Sequence, residues 1–307
     1  MRLRRIAFPL SYRRQLALFL TPYLVGTLVL VVLPALATVA VSFTDYSAFT
    51  GYSTSHLPTW VGLDNFRRLT ETPLVRLSLN NTLIFAGLAV PLRLAGALVL
   101  ALLLGGRRPG TGLYRAAVYL PTIVPEAAYT LVWLWILNPV YGPLNLVLGA
   151  LGLPQPDWMA EAATARLAIV LMALVQIGEG FVVVLAARQN VPAALYEAAE
   201  VDGANRWQSF WRITLPLIIP WLLLLLCRDL LVSVQNTFTP SFIMNYGGPY
   251  YATTFLPLLI YEISFDFADW GLASAVLVVV YAWILLLIWG VRNLVEGLRN
   301  RVEADEA

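Results

Sequence analysis

The chain has 307 residues, of which 59% are hydrophobic and only 12% are charged, with a formal net charge of +2. Charged residues make up about a quarter of a typical soluble domain, so this composition excludes an ordinary soluble surface and indicates a membrane protein. The sequence contains no lysine, which excludes a Walker A ATPase and a Schiff-base enzyme. With His56 as the single histidine and Cys227 as the single cysteine, paired-histidine zinc sites and intrachain disulfides are also excluded.

Six long apolar runs are the predicted membrane spans, because about 20 apolar residues cross a bilayer as a helix. They cover residues 16–43, 80–104, 116–137, 167–187, 213–234 and 271–291. Prolines fall inside several of them, at Pro34, Pro91, Pro121, Pro125 and Pro220. The predicted fold is all-α and polytopic, with a six-span domain at 16–291 between short segments at 1–15 and 292–307.

The distribution of arginine predicts the orientation, because short arginine-rich loops stay in the cytoplasm. One side carries Arg2, Arg4, Arg5, Arg13, Arg14, Arg107, Arg108, Arg115, Arg188, Arg206, Arg212, Arg292, Arg299 and Arg301. The opposite loops, at 44–79, 138–166 and 235–270, contain only Arg67, Arg68 and Arg76, with Arg166 at a span edge. We therefore expect both termini and the loop at 188–212 in the cytoplasm.

Between the fourth and fifth spans, the sequence has the pattern of a helix–turn–helix. Pro192 suits a first helical turn, and Gly203 can supply the left-handed residue that ends the helix. A second short helix is predicted from Asn205 to about Arg212. Helical spacing places four residues on one face of the first helix, two of them small alanines: Leu195, Ala198, Ala199 and Asp202. Small side chains allow close approach, so we interpret this loop as a docking surface for another protein.

Within that loop, Glu197-Ala198-Ala199, then Gly203, then Ile213-x-Leu215-Pro216 resembles the EAA loop of binding-protein-dependent ABC permeases. The resemblance implies the type I ABC importer fold and a transport subunit without ATPase activity of its own. It also implies a multi-pass protein of a bacterial or archaeal inner membrane. The residues implied to couple the spans to an ATPase are Glu197, Ala198, Ala199, Asp202, Gly203, Ile213, Leu215 and Pro216.

The same resemblance implies a set of partners. These are two copies of an ABC ATPase subunit, a second homologous permease, an extracytoplasmic solute-binding protein and membrane lipid, and no nucleic acid. No cofactor is expected in this chain, because ATP and Mg would bind to the ATPase subunits.

Further stretches resemble carbohydrate-type permeases, in particular the maltose- and glycerol-phosphate-like subunit that is usually the first of a permease pair. They are Ser42-Phe-Thr-Asp-Tyr46, Val61-Gly-Leu-Asp-Asn-Phe-Arg-Arg-Leu69 with Asn81-Thr82, Tyr141-Gly-Pro-Leu-Asn145, and Gly247-Gly-Pro249 with Tyr261 and Phe265. The implied function is import of a sugar or oligosaccharide. An importer of amino acids, peptides or polyamines is the alternative, followed by an autonomous secondary transporter or channel and, last, a membrane-embedded enzyme.

Ionisable residues inside the predicted spans must be paired or hydrated, because an isolated charge at bilayer depth is costly. They are Arg93, Glu126, Glu179, Arg228 and Asp229. Adjacent residues on a helix point about 100° apart, so Arg228 and Asp229 are each expected to find a partner elsewhere. The candidate residues of a solute path are Tyr129, Trp133, Gln176, Glu179, Arg228, Gln235, Asn236, Asn245, Tyr250 and Tyr251. Ion pairing that only fixes the helices is the alternative, and His56 is expected to be a solvated loop residue.

Overall fold

The structure is a computed structural model that describes residues 11–47, 58–106 and 109–305. His56, Arg2, Arg4, Arg5, Arg107 and Arg108 lie outside the described residues. The described part is predominantly helical, which confirms the predicted all-α fold.

The helices of the first half begin with α1 (Tyr12–Thr27), which a π-helical turn (Leu28–Val32) joins to α2 (Leu33–Val41). The next elements are α3 (Asp64–Glu71), the long helix α4 (Pro73–Leu103), α5 (Thr111–Ile123), α6 (Glu126–Ile136) and α7 (Pro143–Ala150). α1 to α2 and α4 correspond to the first two predicted spans.

The second half continues with α8 (Ala162–Val175), α9 (Gly178–Gln189), α10 (Ala193–Val201), α11 (Arg206–Ser209), a π-helical turn (Phe210–Thr214) and α12 (Leu215–Gln235). Then come α13 (Phe238–Met244), α14 (Leu256–Tyr261), a π-helical turn (Glu262–Asp266) and α15 (Trp270–Asp305). α15 continues well past residue 291, where the sixth span was predicted to end.

Two predicted spans are bent pairs of helices. α5 and α6 meet at 103°, and α8 and α9 meet at 42°. The span predicted over 116–137 is therefore built from two helices and not from one continuous helix. The residue before a proline is driven out of the helical region, and Val124, which precedes Pro125, is extended with ψ 131°. By length and composition, the described residues contain four candidate spans, or six if each bent pair counts as one.

The short second helix predicted for the 188–212 loop is also not a separate element. α11 runs through the π-helical turn into α12, and this helical run is continuous from Arg206 to Gln235. Pro216 directly follows the π-helical turn and does not interrupt this run.

The chain divides into two compact units, one of residues 1–69 and 263–279 and the other of residues 70–262 and 280–307. In the first unit, the buried Asn65 amide donates hydrogen bonds to the carbonyls of Ser42 (3.0 Å) and Thr44 (2.7 Å). The ring of Phe43 stacks on Trp60 with centroids 5.1 Å apart. The segments that contain residues 42–46 and 61–69 therefore hold each other in place.

In the second unit, α4, α9 and α12 pack around one apolar core. Its buried members are Ala97, Ala101, Phe181, Val184, Leu185, Ala187, Ile218 and Leu225. Ala97 and Ala101 on α4 are almost completely buried, and small residues of this kind let the backbones of membrane helices approach closely. The positions of these three helices fix the two candidate sites described below.

Candidate functional site

The helix–turn–helix at 191–216, called here the hairpin, has a well-defined turn. α10 ends before Gly203, which adopts the left-handed conformation with φ 76°. The N–H of Ala204 then donates to the carbonyl of Ala199 at 2.9 Å, which satisfies an acceptor at the helix end. The role predicted for Gly203 in ending the helix is thus confirmed as local geometry.

The second arm of the hairpin begins with a capping box. The side chain of Asn205 accepts from the N–H of Gln208 (2.9 Å), and the Gln208 side chain accepts from the N–H of Asn205 (2.8 Å). The two arms are then joined by a 2.8 Å hydrogen bond between the hydroxyls of Tyr196 and Thr214. Hydrogen bonds within and between its two arms therefore hold the hairpin together. The second arm continues into α12, and the first arm begins shortly after α9 ends.

Most of the predicted coupling residues are accessible. Glu197, Ala198, Asp202, Gly203 and Pro216 are exposed, while Ala199, Ile213 and Leu215 are half-buried. The hairpin also exposes an aromatic group that sequence reasoning did not single out, formed by Trp207 and Trp211 with Phe210 between them. The exposed members of this predicted set are accessible without any rearrangement of the fold.

A cluster of four charges lies where α4, α9 and α12 meet. The side chain of Asp229 accepts from Arg228 at 2.9 Å and lies 3.8 Å from Nε of Arg93. Arg228 also forms an ion pair with Glu179. The two cations and two anions balance, and the cluster runs from the nearly buried Arg93 and Asp229 to the partly exposed Arg228 and Glu179.

The expectation that Arg228 and Asp229 each find a partner elsewhere is therefore confirmed, although the two residues also pair with each other. Both have the expected outside partners, Glu179 and Arg93, but the long arginine side chain also turns back to the adjacent carboxylate. The flexibility of the arginine stem overcomes the angular separation of their Cα–Cβ bonds.

A small polar cavity adjoins Arg93. Its walls are formed by Phe85, Arg93, Glu126, Tyr129, Ile169, Met172, Ala173, Gln176, Ser233, Asn236 and Pro240. The enclosed volume of about 20 Å³ holds little more than one water molecule. In this conformation the cavity is too small for a monosaccharide, so a solute could enter only if the surrounding helices separate.

Some polar groups of this cavity have hydrogen-bond partners within the described part of the chain, and others do not. The Glu126 carboxylate accepts from Thr239 at 3.0 Å, and the Tyr129 hydroxyl donates to the carbonyl of Met172 at 2.8 Å. Arg93 donates to the carbonyl of Gln176 at 3.2 Å. By contrast, the buried hydroxyl of Ser233 has no hydrogen-bond partner among the residues that the structure describes. An unsatisfied buried hydroxyl is costly and is available to a water or solute hydroxyl.

The structure brings together some of the predicted path residues. Tyr129, Gln176 and Asn236 line the cavity, and Glu179 and Arg228 pair in the adjoining charged cluster. Trp133 packs against Tyr129 with ring centroids 6.2 Å apart, and Gln235 is exposed.

The other predicted path residues, Asn245, Tyr250 and Tyr251, belong to the loop between α13 and α14. The amide of Asn245 donates to the carbonyl of Gly248 (2.6 Å), and its oxygen accepts from Thr253 (2.8 Å). Tyr250 is 93% exposed. Asn245 thus organises its own loop, in which the Gly248–Pro249 peptide is cis.

Two polar residues of α4 anchor this loop. The buried Asn81 amide donates to the carbonyls of Tyr251 (2.9 Å) and Thr254 (3.0 Å), and the Thr82 hydroxyl accepts from the N–H of Leu256 (3.0 Å). The Asn81-Thr82 stretch therefore holds the loop that contains the Gly247-Gly-Pro249 stretch, although the two stretches are far apart in the sequence.

Two hydroxyl residues of this region were not singled out from the sequence: Ser233, which lines the cavity, and Thr239, which donates to Glu126. The charged residues Arg93, Glu126 and Asp229 were singled out, since ionisable groups inside apolar runs need a partner or water. Ser233 and Thr239 had no such signal, because hydroxyl residues are common in membrane helices and can bond to their own backbone.

Comparisons with known proteins fit this architecture. Residues 94–300 match the protein family described as binding-protein-dependent transport system inner membrane component. The probable ABC transporter permease protein YesP of Bacillus subtilis is 34% identical over 90% of this chain and 87% of its own length. The trehalose/maltose transport system permease protein MalF of Thermococcus litoralis is 30% identical over 87% of this chain and 89% of that protein.

A third relative is the sulfoquinovosyl glycerol transport system permease protein SmoG of Agrobacterium fabrum, 31% identical over 86% of this chain and 85% of that protein. Among solved structures, a chain of a bacterial alginate ABC transporter, crystallised with an alginate pentasaccharide-bound periplasmic protein, superposes with a TM-score of 0.78. The superposition covers 91% of this chain and 92% of the transporter chain, with 24% sequence identity. This structural likeness supports the same fold.

Proposed function

Because the chain belongs to the family of binding-protein-dependent transport system inner membrane components, we propose that it is the membrane-spanning permease subunit of an ABC importer for a sugar or oligosaccharide. The substrate class is supported by the relatives, whose names specify trehalose and maltose, sulfoquinovosyl glycerol and sn-glycerol-3-phosphate. The alternative of an amino-acid, peptide or polyamine importer is not favoured by these relatives.

The proposed complex contains this chain, a second homologous permease, two ABC ATPase subunits and an extracytoplasmic binding protein that delivers the solute. ATP and Mg bind to the ATPase subunits. Both termini and the hairpin lie in the cytoplasm, in accord with the arginine-rich side of the sequence. This chain contributes passage across the inner membrane and carries out no bond chemistry.

In the proposed mechanism, the exposed face of the hairpin docks on the ATPase subunit. The face is formed by Glu197, Ala198, Asp202 and Gly203, with Ala199 behind it. Because α11 is continuous with α12, a displacement of the hairpin is carried directly into a membrane helix that bears Arg228 and Asp229. This continuity is the single observation that best supports coupling through the hairpin.

The solute path is assigned to the polar cavity and the charged cluster beside it. The paired charges and the unsatisfied hydroxyl of Ser233 can exchange hydrogen bonds with sugar hydroxyls, and the Tyr129 ring offers a face for stacking. Because the cavity is so small, the structure represents a closed state. ATP must therefore drive the separation of the surrounding helices. Glu179 and Arg228 are placed at bilayer depth with partial exposure, which requires them to face water or another protein.

The coupling role is tested by Gly203→Asp in the complete complex reconstituted into vesicles, with uptake followed for radiolabelled trehalose, maltose and maltotriose. We expect loss of ATP-dependent uptake with normal insertion. Gly152→Asp is the matched control, because Gly152 is also exposed, has φ 70° and has no atom within 4 Å of an added Cβ, but lies in the 138–166 loop. Undiminished uptake by Gly203→Asp would contradict the coupling role.

The substrate class is tested separately by titrating the associated binding protein with oligosaccharides, amino acids and peptides. Saturable binding of a saccharide is the expected result. Preference for a peptide or amino acid would overturn the carbohydrate assignment and leave the coupling mechanism intact.

A further inference from the structure

The end of α4 that points to the hairpin side is held by two arginines. The last carbonyls of a helix lack intrahelical partners. Nη1 of Arg188 donates to the carbonyls of Ala101 and Leu102, both at 3.1 Å. Arg115 donates from Nε (3.0 Å) and Nη2 (2.7 Å) to the carbonyl of Leu104. Both side chains therefore cap the same helix end, from different neighbouring helices.

The two caps differ in what they connect. Arg188 lies in the last turn of α9, five residues before α10 begins at Ala193. Arg115 lies on α5, which is separated from the hairpin in the chain by several helices. Arg188 thus links α4 to the segment that leads directly into the hairpin, whereas Arg115 does not.

A second connection ties α4 to the same elements deeper in the membrane. Arg93 donates to the carbonyl of Gln176, at the break before α9, and approaches Asp229 on α12. Arg93 precedes Leu102 by nine residues, which corresponds to about 14 Å along a helix. Between the two levels, α4 packs through Ala97 and Ala101 against the apolar core shared with α9 and α12. Both arms of the hairpin are therefore tied to α4.

We propose that Arg188 is a positioning residue that makes the end of α4 move together with the hairpin, so that ATP-driven motion reaches Arg93 and the polar cavity through α4 as well as through α12. The proposal rests on the coupling role of the hairpin proposed above. Arg188 is not among the described residues that line the polar cavity, and it acts through the carbonyls of Ala101 and Leu102.

Gly105 provides a way to displace Arg188 without removing it. A Cβ added at Gly105 would occupy the space of the Arg188 guanidinium and would lie 2.8 Å from the carbonyl oxygen of Ala101. Gly105→Ala therefore pushes the guanidinium away from its acceptors while its charge is kept. If the contact matters, this variant and Arg188→Ala have the same effect.

The experiment measures a distance between α4 and the hairpin in the full complex with its ATPase. Spin labels are placed at Leu103→Cys and Arg206→Cys, both exposed positions, in a Cys227→Ala background. The distance is determined by double electron–electron resonance in the nucleotide-free state and after trapping with ATP and vanadate. The same comparison is made in Arg188→Ala, Arg188→Lys, Gly105→Ala and Arg115→Ala.

With Arg188 present, we expect the same label separation in both nucleotide states, because α4 and the hairpin move as one body. In Arg188→Ala and Gly105→Ala, trapping should shift and broaden the distribution. Arg188→Lys should restore most of the single distance, since an ammonium can donate to the same carbonyls. Arg115→Ala should behave like the unsubstituted chain, although it removes a cap from the same helix end.

Identical label distances in both nucleotide states of Arg188→Ala would overturn the proposal. A shift in Arg115→Ala equal to that in Arg188→Ala would also overturn it, because it would reveal a general effect of uncapping α4. The proposed function is checked independently by vanadate-trapped nucleotide in the purified complex. If no ATPase subunit assembles with the chain, the proposed function fails before any distance is measured. If nucleotide is trapped and Arg188→Ala shows no shift, only the role of Arg188 fails.

Discussion

The hydroxyl groups of Tyr196 on α10 and Thr214 at the start of α12 are 2.8 Å apart and share a hydrogen bond. Thr214 is 3% exposed and Tyr196 is half-buried, so this bond is partly shielded from solvent. It joins the arm that carries the docking face to the arm that continues into a membrane helix. Force applied to α10 can therefore pass to α12 without bending the turn at Gly203.

Tyr196→Phe removes this hydroxyl and keeps the aromatic ring. Thr214 would retain only a long contact of 3.5 Å with the carbonyl of Ser209. We expect the free energy of unfolding to fall by about 1 kcal/mol, the net value of one hydrogen bond. Thermal unfolding of the purified chain in detergent measures the effect. Tyr114→Phe, at an exposed tyrosine on α5, serves as the control, and an equal melting temperature for both variants would argue against the link.

Gly178→Ala should destabilise the contact between α5 and α9. An added Cβ would lie 2.9 Å from Cα of Tyr119 and 3.0 Å from the carbonyl oxygen of Val118, and these backbone atoms cannot move aside cheaply. Overpacking of this kind costs about 1–3 kcal/mol.

The matched control for that substitution is Gly180→Ala on the same helix. There the nearest atom would be Cβ of Ala97 at 3.5 Å, an ordinary contact distance. Melting temperatures in detergent should fall for Gly178→Ala and stay close to the original for Gly180→Ala. Equal tolerance of both changes would show that the close approach of α5 is not maintained in the protein.

Asp229→Asn should be the most damaging single change in the charged cluster. It leaves the largely buried Arg93 without its nearest anion, and breaking a buried ion pair from one side costs about 3–5 kcal/mol. Glu179→Gln should cost much less, because the Glu179 side chain is 45% exposed and Arg228 keeps Asp229 as an anionic partner.

The coupling between Arg93 and Asp229 can be measured with a double-mutant cycle. Arg93→Leu combined with Asp229→Leu should be less destabilising than the sum of the two single changes, because no unpaired buried charge remains at Arg93. Strict additivity in thermal unfolding would show that the 3.8 Å approach contributes no interaction energy.

Asn81→Ala should loosen the loop between α13 and α14. The change leaves the carbonyls of Tyr251 and Thr254 without the amide that bonds to them, and each unsatisfied buried group costs about 1–3 kcal/mol. We expect faster limited proteolysis within residues 245–255. Asn80→Ala, at the exposed neighbouring position, is the control and should leave the cleavage rate unchanged.

The sequence predicted much of the fold because the strongest determinants are local. Apolar runs of span length identified the membrane helices, and Pro192 and Gly203 identified the first helix of the hairpin. The EAA-like spacing indicated the family, which the comparisons confirmed. The break at Val124 and Pro125 was also encoded locally, but the apolar character of 116–137 concealed the 103° bend.

The remaining features depend on contacts between distant segments. No local pattern shows that Asn81 bonds to residues 251 and 254, or that Asn65 bonds to Ser42 and Thr44. Several stretches that resemble carbohydrate permeases thus contain residues that hold loops in place by hydrogen bonds. The residues of the polar cavity and the charged cluster were predicted in part, because charge inside a span is informative and a hydroxyl such as that of Ser233 is not.

The central claim is that a separate ATPase drives this permease through its hairpin. It is tested most directly by uptake of radiolabelled trehalose, maltose and maltotriose into vesicles that contain the two permeases and the binding protein, with and without the ATPase subunits. We predict uptake only when the ATPase and ATP are both present, and none when Gly203→Asp replaces the original chain. Uptake at an undiminished rate without the ATPase would contradict the account.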